Sequence, residues 1–224
     1  MAQHEDPDAF DAGYWEGRYR AGQGADLHGP SPSLVTEASG LRPGRALDAG
    51  CGTGGDALWL ADRGWQVTAA DVSGTAVARG RANALALGSA LAERIEWVHA
   101  DLTSWEPSRQ GFDLVSSHYV HVPGSMQPLV RRLASWVEPG GRLLVVGHDG
   151  AGHGAGHGAA EHGSGGAEHP AGAQVLTEQV VAALPAGQWD VLVAESRTHP
   201  ARAPGASSTR DVVVHARRRV QTPD

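Results

Sequence analysis

The chain has 224 residues, one cysteine and a formal net charge of -7. This length suits one domain with a sizeable core, and one cysteine excludes a disulfide framework or a cysteine metal cluster. An acidic chain also matches DNA or long RNA poorly, because phosphates select a basic face. No apolar run approaches the ~18 residues that span a membrane, and the acidic start is unlike a signal peptide. We therefore expect a cytoplasmic protein with neither a nucleic acid nor a membrane as its partner.

Residues 1–40 precede the first apolar strand and are predicted to form an N-terminal cap segment. Trp15, Arg18 and Tyr19 are spaced to share one side of a short helix, and a Gly29-Pro30 dipeptide follows. Such a helix can cover a ligand site, or its aromatic residues can simply seal the edge of a sheet. The spacing alone leaves both alternatives open.

A glycine-rich turn follows the short apolar strand that begins at Ala46, and an amphipathic helix comes after it. Gly50, Gly52 and Gly54 have no Cβ, so this turn can adopt unusual dihedral angles and let a ligand approach the backbone. The next strand ends at Asp71, where an acid can accept hydrogen bonds from both hydroxyls of a ribose. The pattern predicts a nucleotide site.

Two classes of nucleotide cofactor can use such a turn. Gly50, Gly52 and Gly55 satisfy the dinucleotide pattern G-x-G-x-x-G, which favours NAD. However, a pyrophosphate prefers a helix N-terminus free of negative charge, and Asp48 and Asp56 flank the turn. Carboxylates there favour a cationic ligand. An NAD-dependent oxidoreductase is kept as an alternative, although the chain leaves no room for a separate substrate domain.

Strands and helices alternate through the rest of the chain. Helices are predicted from Ser73 to Leu87, over Met126–Val137 before Pro139, and after Thr177. Strands are predicted over Trp65–Asp71 and Ile95–Ala100, from Phe112, before His148, from Trp189 and from Asp211. This alternation predicts an α/β fold with a doubly wound, mostly parallel, Rossmann-like sheet of seven strands. The last two strands are predicted to form an antiparallel edge hairpin.

These motifs resemble those of class I S-adenosylmethionine-dependent methyltransferases. The first motif of that family, (D/E)-x-G-x-G-x-G, is met by Asp48, Gly50, Gly52 and Gly54. The Asp101-Leu102 pair resembles the corner that contacts the adenine, and the Pro-Gly-Gly turn before the fifth strand also agrees. The resemblance implies S-adenosylmethionine as cofactor, in a methyltransferase domain over residues 41–224. The residues it implies for the cofactor site are Trp15, Tyr19, Asp48, Gly50, Cys51, Gly52, Gly54, Asp71, Val72, Asp101, Leu102 and Ser117.

The cap segment is similar to that of the thiopurine, tellurite-resistance and halide methyltransferase group. In that group a W-x-x-x-Y helix and a Gly-Pro turn lie over the cofactor pocket, and here Trp15, Tyr19 and Gly29-Pro30 match them loosely. The resemblance implies a small-molecule acceptor, methylated on oxygen, nitrogen or sulfur. The (N/D)-P-P-(Y/F) signature of nucleic-acid amino-methyltransferases is absent. The acceptor itself and the oligomeric state do not follow from the sequence.

Two histidines are candidates for the chemistry. Methyl transfer is an in-line displacement that gains mostly from alignment in a dry pocket. A thiolate acceptor needs no base, whereas an oxygen or nitrogen acceptor gains about 10²–10⁴-fold from one. His121 is the first candidate and His148 the second, because both follow strands that open onto the active-site end. If strand geometry persists, alternation places Tyr119 and His121 on one side and His118 on the other. Cys51 is interpreted as small buried filler.

A glycine- and histidine-rich segment covers residues 150–172. Its histidines are His153, His157, His162 and His169. Histidines at this density suggest a metal site, and a non-catalytic metal-binding protein is the third class considered. However, interleaved glycines disfavour a helix, and the spacing of the histidines lacks a carboxylate or cysteine partner that would fix a tetrahedral geometry. We predict a flexible loop and no metal.

Replacement of these four histidines together by serine is expected to leave the melting temperature and methyl transfer nearly unchanged, because a solvated loop contributes few buried contacts. Thermal unfolding and turnover, each measured with and without chelator, test this expectation. Activity that disappears with chelator and returns with one stoichiometric metal would contradict it.

Overall fold

The computed structural model describes residues 10–24, 27–109, 111–149, 177–199 and 209–220. The helices are α1 (Ala12–Arg20), α2 (Pro32–Ala38), α3 (Gly55–Asp62), α4 (Gly74–Leu87), α5 (Ser89–Ala92), α6 (Met126–Ser135) and α7 (Thr177–Ala183). The strands are β1 (Arg45–Ala49), β2 (Gln66–Asp71), β3 (Ile95–His99), β4 (Phe112–His118), β5 (Val137–His148), β6 (Trp189–His199) and β7 (Thr209–Arg218). The predicted loop over residues 150–172 lies outside these ranges. Within them, no helix has the length and apolar character needed to cross a membrane.

The strands form a seven-stranded sheet in the order β3-β2-β1-β4-β5-β7-β6. Strands β1 to β5 pair in parallel, whereas β7 runs antiparallel to both β5 and β6. The predicted doubly wound, mostly parallel sheet with an antiparallel last strand is therefore confirmed. The strand order reverses between β1 and β4, and ligands of such sheets bind at the carboxyl ends of the strands beside this switch point.

Each face of the sheet carries its own hydrophobic core. Leu47 points to the face covered by α6, with Leu129 and Leu133. The neighbouring Ala46 points to the opposite face, as alternation along a strand requires, and packs there with Leu34 of α2. Leu34 is fully buried. Helix α2 is therefore part of the packed domain, although the predicted boundary after residue 40 assigned it to the cap segment.

One helix ends earlier than its pattern predicts. The helix predicted over Met126–Val137 ends at Ser135, and β5 begins at Val137. Val137 pairs with Phe112 of β4, and the register shifts immediately afterwards. The irregular pairing accommodates Pro139 inside β5, because a proline is tolerated in a strand at such a bulge. Pairing with β4 thus overrides the helical pattern at this position.

Candidate cofactor and acceptor site

The glycine turn, residues 50–54, is fixed to the end of β2. The backbone N–H groups of Gly50 and Cys51 both donate to the carbonyl of Ala70, at 2.8 and 3.1 Å. Gly50, Gly52 and Gly54 have φ values of 82°, 52° and 94°. L-residues with a side chain rarely adopt these angles, so the turn depends on glycine at these positions.

Two buried carboxylates lie beside this turn. Asp71 accepts hydrogen bonds from the backbone N–H groups of Gly52 at 2.9 Å and Ser73 at 2.8 Å, and burial raises its pKa. Burial raises the pKa of Asp48 well above its usual range, and the charges of Asp56 and Asp71 add to that effect. One carboxylate oxygen of Asp48 has no hydrogen-bond partner among the described residues. A cationic ligand would stabilise these carboxylates, whereas a pyrophosphate would be repelled.

Asp56 flanks the glycine turn and was expected to favour a cationic ligand, but its carboxylate pairs with other parts of the protein. Its carboxylate bonds to Nδ1 of His118 at 2.5 Å and accepts from the backbone N–H of Ser31 at 2.6 Å. Burial acts to raise the pKa of Asp56, but His118 and these hydrogen bonds hold it below its usual value. Asp56 therefore ties α3 to β4 and to the start of α2. The preference for a cation depends on Asp48 and Asp71.

The predicted adenine corner is only partly open to a ligand. Asp101 is exposed, and one of its oxygens accepts from the backbone N–H and the hydroxyl of Thr103, at 2.8 and 2.7 Å. Leu102 packs instead into the core on the α6 face of the sheet. Asp101 thus lies where a ligand can reach it, whereas contact between Leu102 and an adenine stays a prediction.

Three other predicted cofactor residues lie near strand ends at the same edge of the sheet: Cys51 and Val72 follow β1 and β2, and Ser117 is the second-to-last residue of β4. Cys51 is buried, and burial raises the pKa of its thiol well above the usual range, which disfavours the nucleophilic thiolate. The carbonyl of Val72 bonds to Nε2 of His99 at 3.0 Å. Ser117 is buried, and its hydroxyl has no hydrogen-bond partner among the described residues. Their contact with a cofactor stays a prediction.

Helix α1, hereafter the cap helix, lies across the glycine turn. A Cβ built on Gly52 would approach the hydroxyl of Tyr19 to 2.8 Å. Burial raises the pKa of that hydroxyl, and the nearby charge of Asp71 adds to the effect. Trp15, one turn earlier, stacks on His121 with ring centroids 6.0 Å apart. The predicted pair of Trp15 and Tyr19 therefore reaches from the turn to the end of β4.

The two candidate histidines come together in one group of rings, hereafter the acceptor wall, made of Phe10, Trp15, Tyr119, His121 and His148. His121 is buried, and its ring centroid lies 5.3 Å from Phe10 and 5.9 Å from His148. The rings of Tyr119 and His148 are 4.8 Å apart. The side chain of His148 remains 29% exposed, so it is the more accessible imidazole.

The backbone does not continue as a strand through this wall. β4 ends at His118, and Tyr119 has a φ of 54° in the left-handed region. The alternation proposed for this stretch is therefore broken after His118, which turns to Asp56 on α3. A bulky residue in this conformation costs about 1–3 kcal/mol and is typical of functional sites. Here it accompanies a hydrogen bond from the Tyr119 hydroxyl to Asp211.

Asp211 contacts the acceptor wall through Tyr119 and His148. It was not identified as a site residue from the sequence. It lies on β7 opposite His148 of β5 and is 2% exposed. One carboxylate oxygen accepts from the Tyr119 hydroxyl at 2.5 Å, and the other lies 3.6 Å from Nδ1 of His148. At this distance the carboxylate and the imidazole are within ion-pair range but beyond hydrogen-bond distance. A positive charge on the ring would therefore have a partner here. No local motif marks Asp211, because only the antiparallel register brings it to His148.

Residues 46–141 match a family model described as a methyltransferase domain. This range contains the glycine turn, Asp71 at the end of β2 and Asp101 just after β3. The sheet order is the one described above. Residues 46–141 are therefore similar to methyltransferase domains, in agreement with the motif resemblance. These matches do not support the oxidoreductase alternative.

Similar proteins carry methyltransferase names. The chain is 32% identical over 141 residues to the probable thiol methyltransferase 2 of Arabidopsis thaliana, covering 60% of this chain and 61% of that protein. The chain therefore spans about three fifths of the length of that relative. A solved structure from work on conversion of a disulfide bond into a thioacetal group in echinomycin biosynthesis aligns with a TM-score of 0.68, at 21% identity over 93% of this chain and 91% of that chain. TehB from Haemophilus influenzae aligns with a TM-score of 0.65, at 14% identity over 91% and 67%. Both structures show the likeness of fold.

Proposed function

We propose that this protein transfers a methyl group from S-adenosylmethionine to an oxygen, nitrogen or sulfur atom of a small molecule. The observation that carries the proposal is the position of the cap helix, with Tyr19 against Gly52 and Trp15 against His121. The same helix touches the predicted cofactor turn and the acceptor wall. A site covered by a helix in this way favours a small acceptor over a polymer such as a nucleic acid.

The residues present fit the cofactor. The glycine turn offers a backbone that a ligand can approach closely, and Asp71 and Asp101 are carboxylates at successive strand ends. Asp71 is suited to the ribose hydroxyls and Asp101 to the adenine amine. Asp48 has an unpartnered oxygen among the described residues and favours the cationic methionine part. When bound, S-adenosylmethionine supplies a methyl group activated by a sulfonium.

In this proposal the chain contributes a proton acceptor at the wall. Nδ1 of His148 faces Asp211, and Nε2 of His148 accepts the proton that an O–H or N–H acceptor gives up on methylation. Asp211 stabilises the resulting imidazolium and, with Tyr119, orients the ring. His121 has rings of Phe10 and Trp15 as neighbours. The geometry therefore favours His148 as the base and His121 as part of the wall, which reverses the order that the sequence suggested.

Sulfur is the acceptor atom with additional support. The Arabidopsis relative is named a probable thiol methyltransferase, and a thiolate is methylated without a base. Phe10 and Trp15 give the wall an apolar part, which is compatible with a soft acceptor. Substitution of His148 distinguishes the two cases, because only an oxygen or nitrogen acceptor needs the proton removed during the reaction.

With a phenol or amine acceptor, His148→Ala is expected to lower kcat by about 10²–10⁴-fold, because the reaction then lacks its proton acceptor. Asp211→Asn should lower kcat less, because it removes only the charge that stabilises the imidazolium. With a thiol acceptor, both changes should cost much less. Steady-state kinetics across pH 5–9, with a panel of phenols, amines and thiols, measure these effects.

His121→Ala and His28→Ala complete this set of variants. His28 is exposed and serves as the matched control. A large loss in His121→Ala with full activity in His148→Ala would return the assignment to His121. Affinity for S-adenosylhomocysteine should stay within about twofold in all four variants. A variant that lowers kcat without changing this affinity identifies a group that acts on the reacting atoms.

Calorimetry with S-adenosylmethionine, NAD, nickel and zinc tests the proposed function directly. We expect S-adenosylmethionine and S-adenosylhomocysteine to bind and NAD not to bind. Binding of NAD in place of S-adenosylmethionine would favour the oxidoreductase. A metal bound without either nucleotide would favour the metal-binding protein.

A further inference from the structure

Glu16 connects the cap helix to the N-terminus of α4. Its carboxylate accepts three hydrogen bonds from two residues: the Ser73 hydroxyl at 2.7 Å, the Thr75 hydroxyl at 2.7 Å and the Thr75 backbone N–H at 3.2 Å. These bonds lower the pKa of Glu16 to about 2, the Ser73 hydroxyl having the largest effect. Glu16 is therefore charged throughout the neutral pH range.

Through Ser73, the hydrogen bonds of Glu16 connect to Asp71, the residue predicted to bind the ribose. The backbone N–H of Ser73 donates to Asp71 at 2.8 Å, while the Ser73 hydroxyl donates to Glu16. Ser73 also caps α4, because its hydroxyl accepts from the N–H of Ala76 at 3.1 Å. One residue thus joins the carboxylate that closes β2 to the carboxylate on the cap helix. Hydrogen bonds to a charged group are the stronger class, so this joint holds the cap helix more firmly than a surface ion pair does.

Glu16 lies between the two aromatic residues that the cap helix presents to the site. Trp15 precedes it and stacks on His121, and Tyr19 follows it and lies against Gly52. Trp15, Glu16 and Tyr19 are only partly buried, and no residue of the cap helix is fully buried. Its position therefore depends on side-chain contacts, which include the three hydrogen bonds that Glu16 accepts.

We propose that Glu16 is the positioning residue that seats the cap helix over the cofactor, by holding Ser73 and Thr75 at the N-terminus of α4. The inference rests on the proposed function for the identity of the cofactor. Without Glu16, the seated arrangement becomes a smaller fraction of the population. The apparent affinity for the cofactor then falls in proportion to that fraction.

Amide hydrogen exchange and calorimetry with S-adenosylhomocysteine test the proposal on the full chain. Glu16→Ala is expected to speed exchange in peptides covering residues 12–20 by about tenfold or more, and to weaken binding of S-adenosylhomocysteine by a similar factor. Glu16→Gln should have an intermediate effect, because its amide oxygen can still accept a hydrogen bond. Exchange in β1 and β4 should not change, and this separates seating of the cap helix from general loss of stability.

Two further variants make the test specific. Arg20→Ala removes the exposed ion pair that Glu16 makes at 2.9 Å, and it should have little effect because such pairs contribute little. Thr75→Val keeps the shape of Thr75 and removes one donor. Its effect should be much smaller in the Glu16→Ala background than in wild type, since residues that share one contact are not additive.

The outcomes are distinct. Wild-type exchange rates over residues 12–20 in Glu16→Ala overturn the proposal. Faster exchange with unchanged affinity for S-adenosylhomocysteine also overturns it, because the seat would then not act on the cofactor. If wild type binds no S-adenosylhomocysteine, the proposed function fails and with it the link between Glu16 and cofactor binding. In that case the exchange measurement still decides whether Glu16 holds the helix.

Discussion

Asp71→Ala is expected to weaken binding of S-adenosylhomocysteine by about 1.5–3 kcal/mol, or roughly ten- to over a hundredfold. The substitution removes the charged acceptor that we propose for the two ribose hydroxyls. It also leaves the backbone N–H groups of Gly52 and Ser73 without the oxygens to which they now donate. The loss therefore combines a missing ligand contact with a less well ordered glycine turn. Calorimetry with S-adenosylhomocysteine measures it.

Asp71→Asn separates these two contributions, because an amide keeps one oxygen for the backbone donors but loses the charge. We expect its affinity to lie between those of wild type and Asp71→Ala. Asp62→Ala is the matched control, since Asp62 is exposed at the end of α3. Wild-type affinity in Asp71→Ala would remove Asp71 from the cofactor site.

Deletion of residues 1–24 is expected to leave a folded sheet, to weaken cofactor retention and to reduce turnover nearly to zero. The truncated chain keeps α2, whose Leu34 is fully buried in the core. It loses Trp15 and Tyr19, and water then reaches the site from which the cap helix excludes it. Circular dichroism, calorimetry and turnover with any acceptor from the panel measure the three effects.

A shorter deletion, of residues 1–8, is the control because it keeps Phe10 and the whole cap helix. Its turnover should match that of the full chain. If the longer deletion turns over acceptor at the wild-type rate, the cap helix does not cover a working site, and Trp15 and Tyr19 have only a structural role.

Much of the fold follows from local pattern. The glycine turn and Asp71 are predictable because they depend on residue type within a short stretch. The cap of α4 is predictable for the same reason, since Ser73 bonds to a backbone N–H three residues later. The mostly parallel sheet follows from the alternation of strands and helices, whereas the order of its strands comes only from the structure. Helix ends are less predictable, as Val137 shows by pairing with Phe112.

The candidate site is less predictable, because its contacts join distant parts of the chain. Asp211 lies in a stretch that reads only as a strand, and its place beside His148 depends on the register of β5 and β7. Glu16 resembles any acid on an exposed helix until Ser73 and Thr75 are seen beside it. The left-handed backbone of Tyr119 could not be predicted either, because the residue is not a glycine. Each of these features depends on tertiary structure rather than on spacing.

The insertion of β7 between β5 and β6 has a consequence for the order in which the site is made. The residues implied for the cofactor lie between Trp15 and Ser117 and leave the ribosome early, since chains are synthesised from the N-terminus. Asp211 emerges well after them. A nascent chain halted before β7 would hold every one of those residues, but His148 would lack its carboxylate and β5 would remain an unpaired edge prone to association. The carboxylate that lies beside His148 is thus added only after all the residues implied for the cofactor have been synthesised.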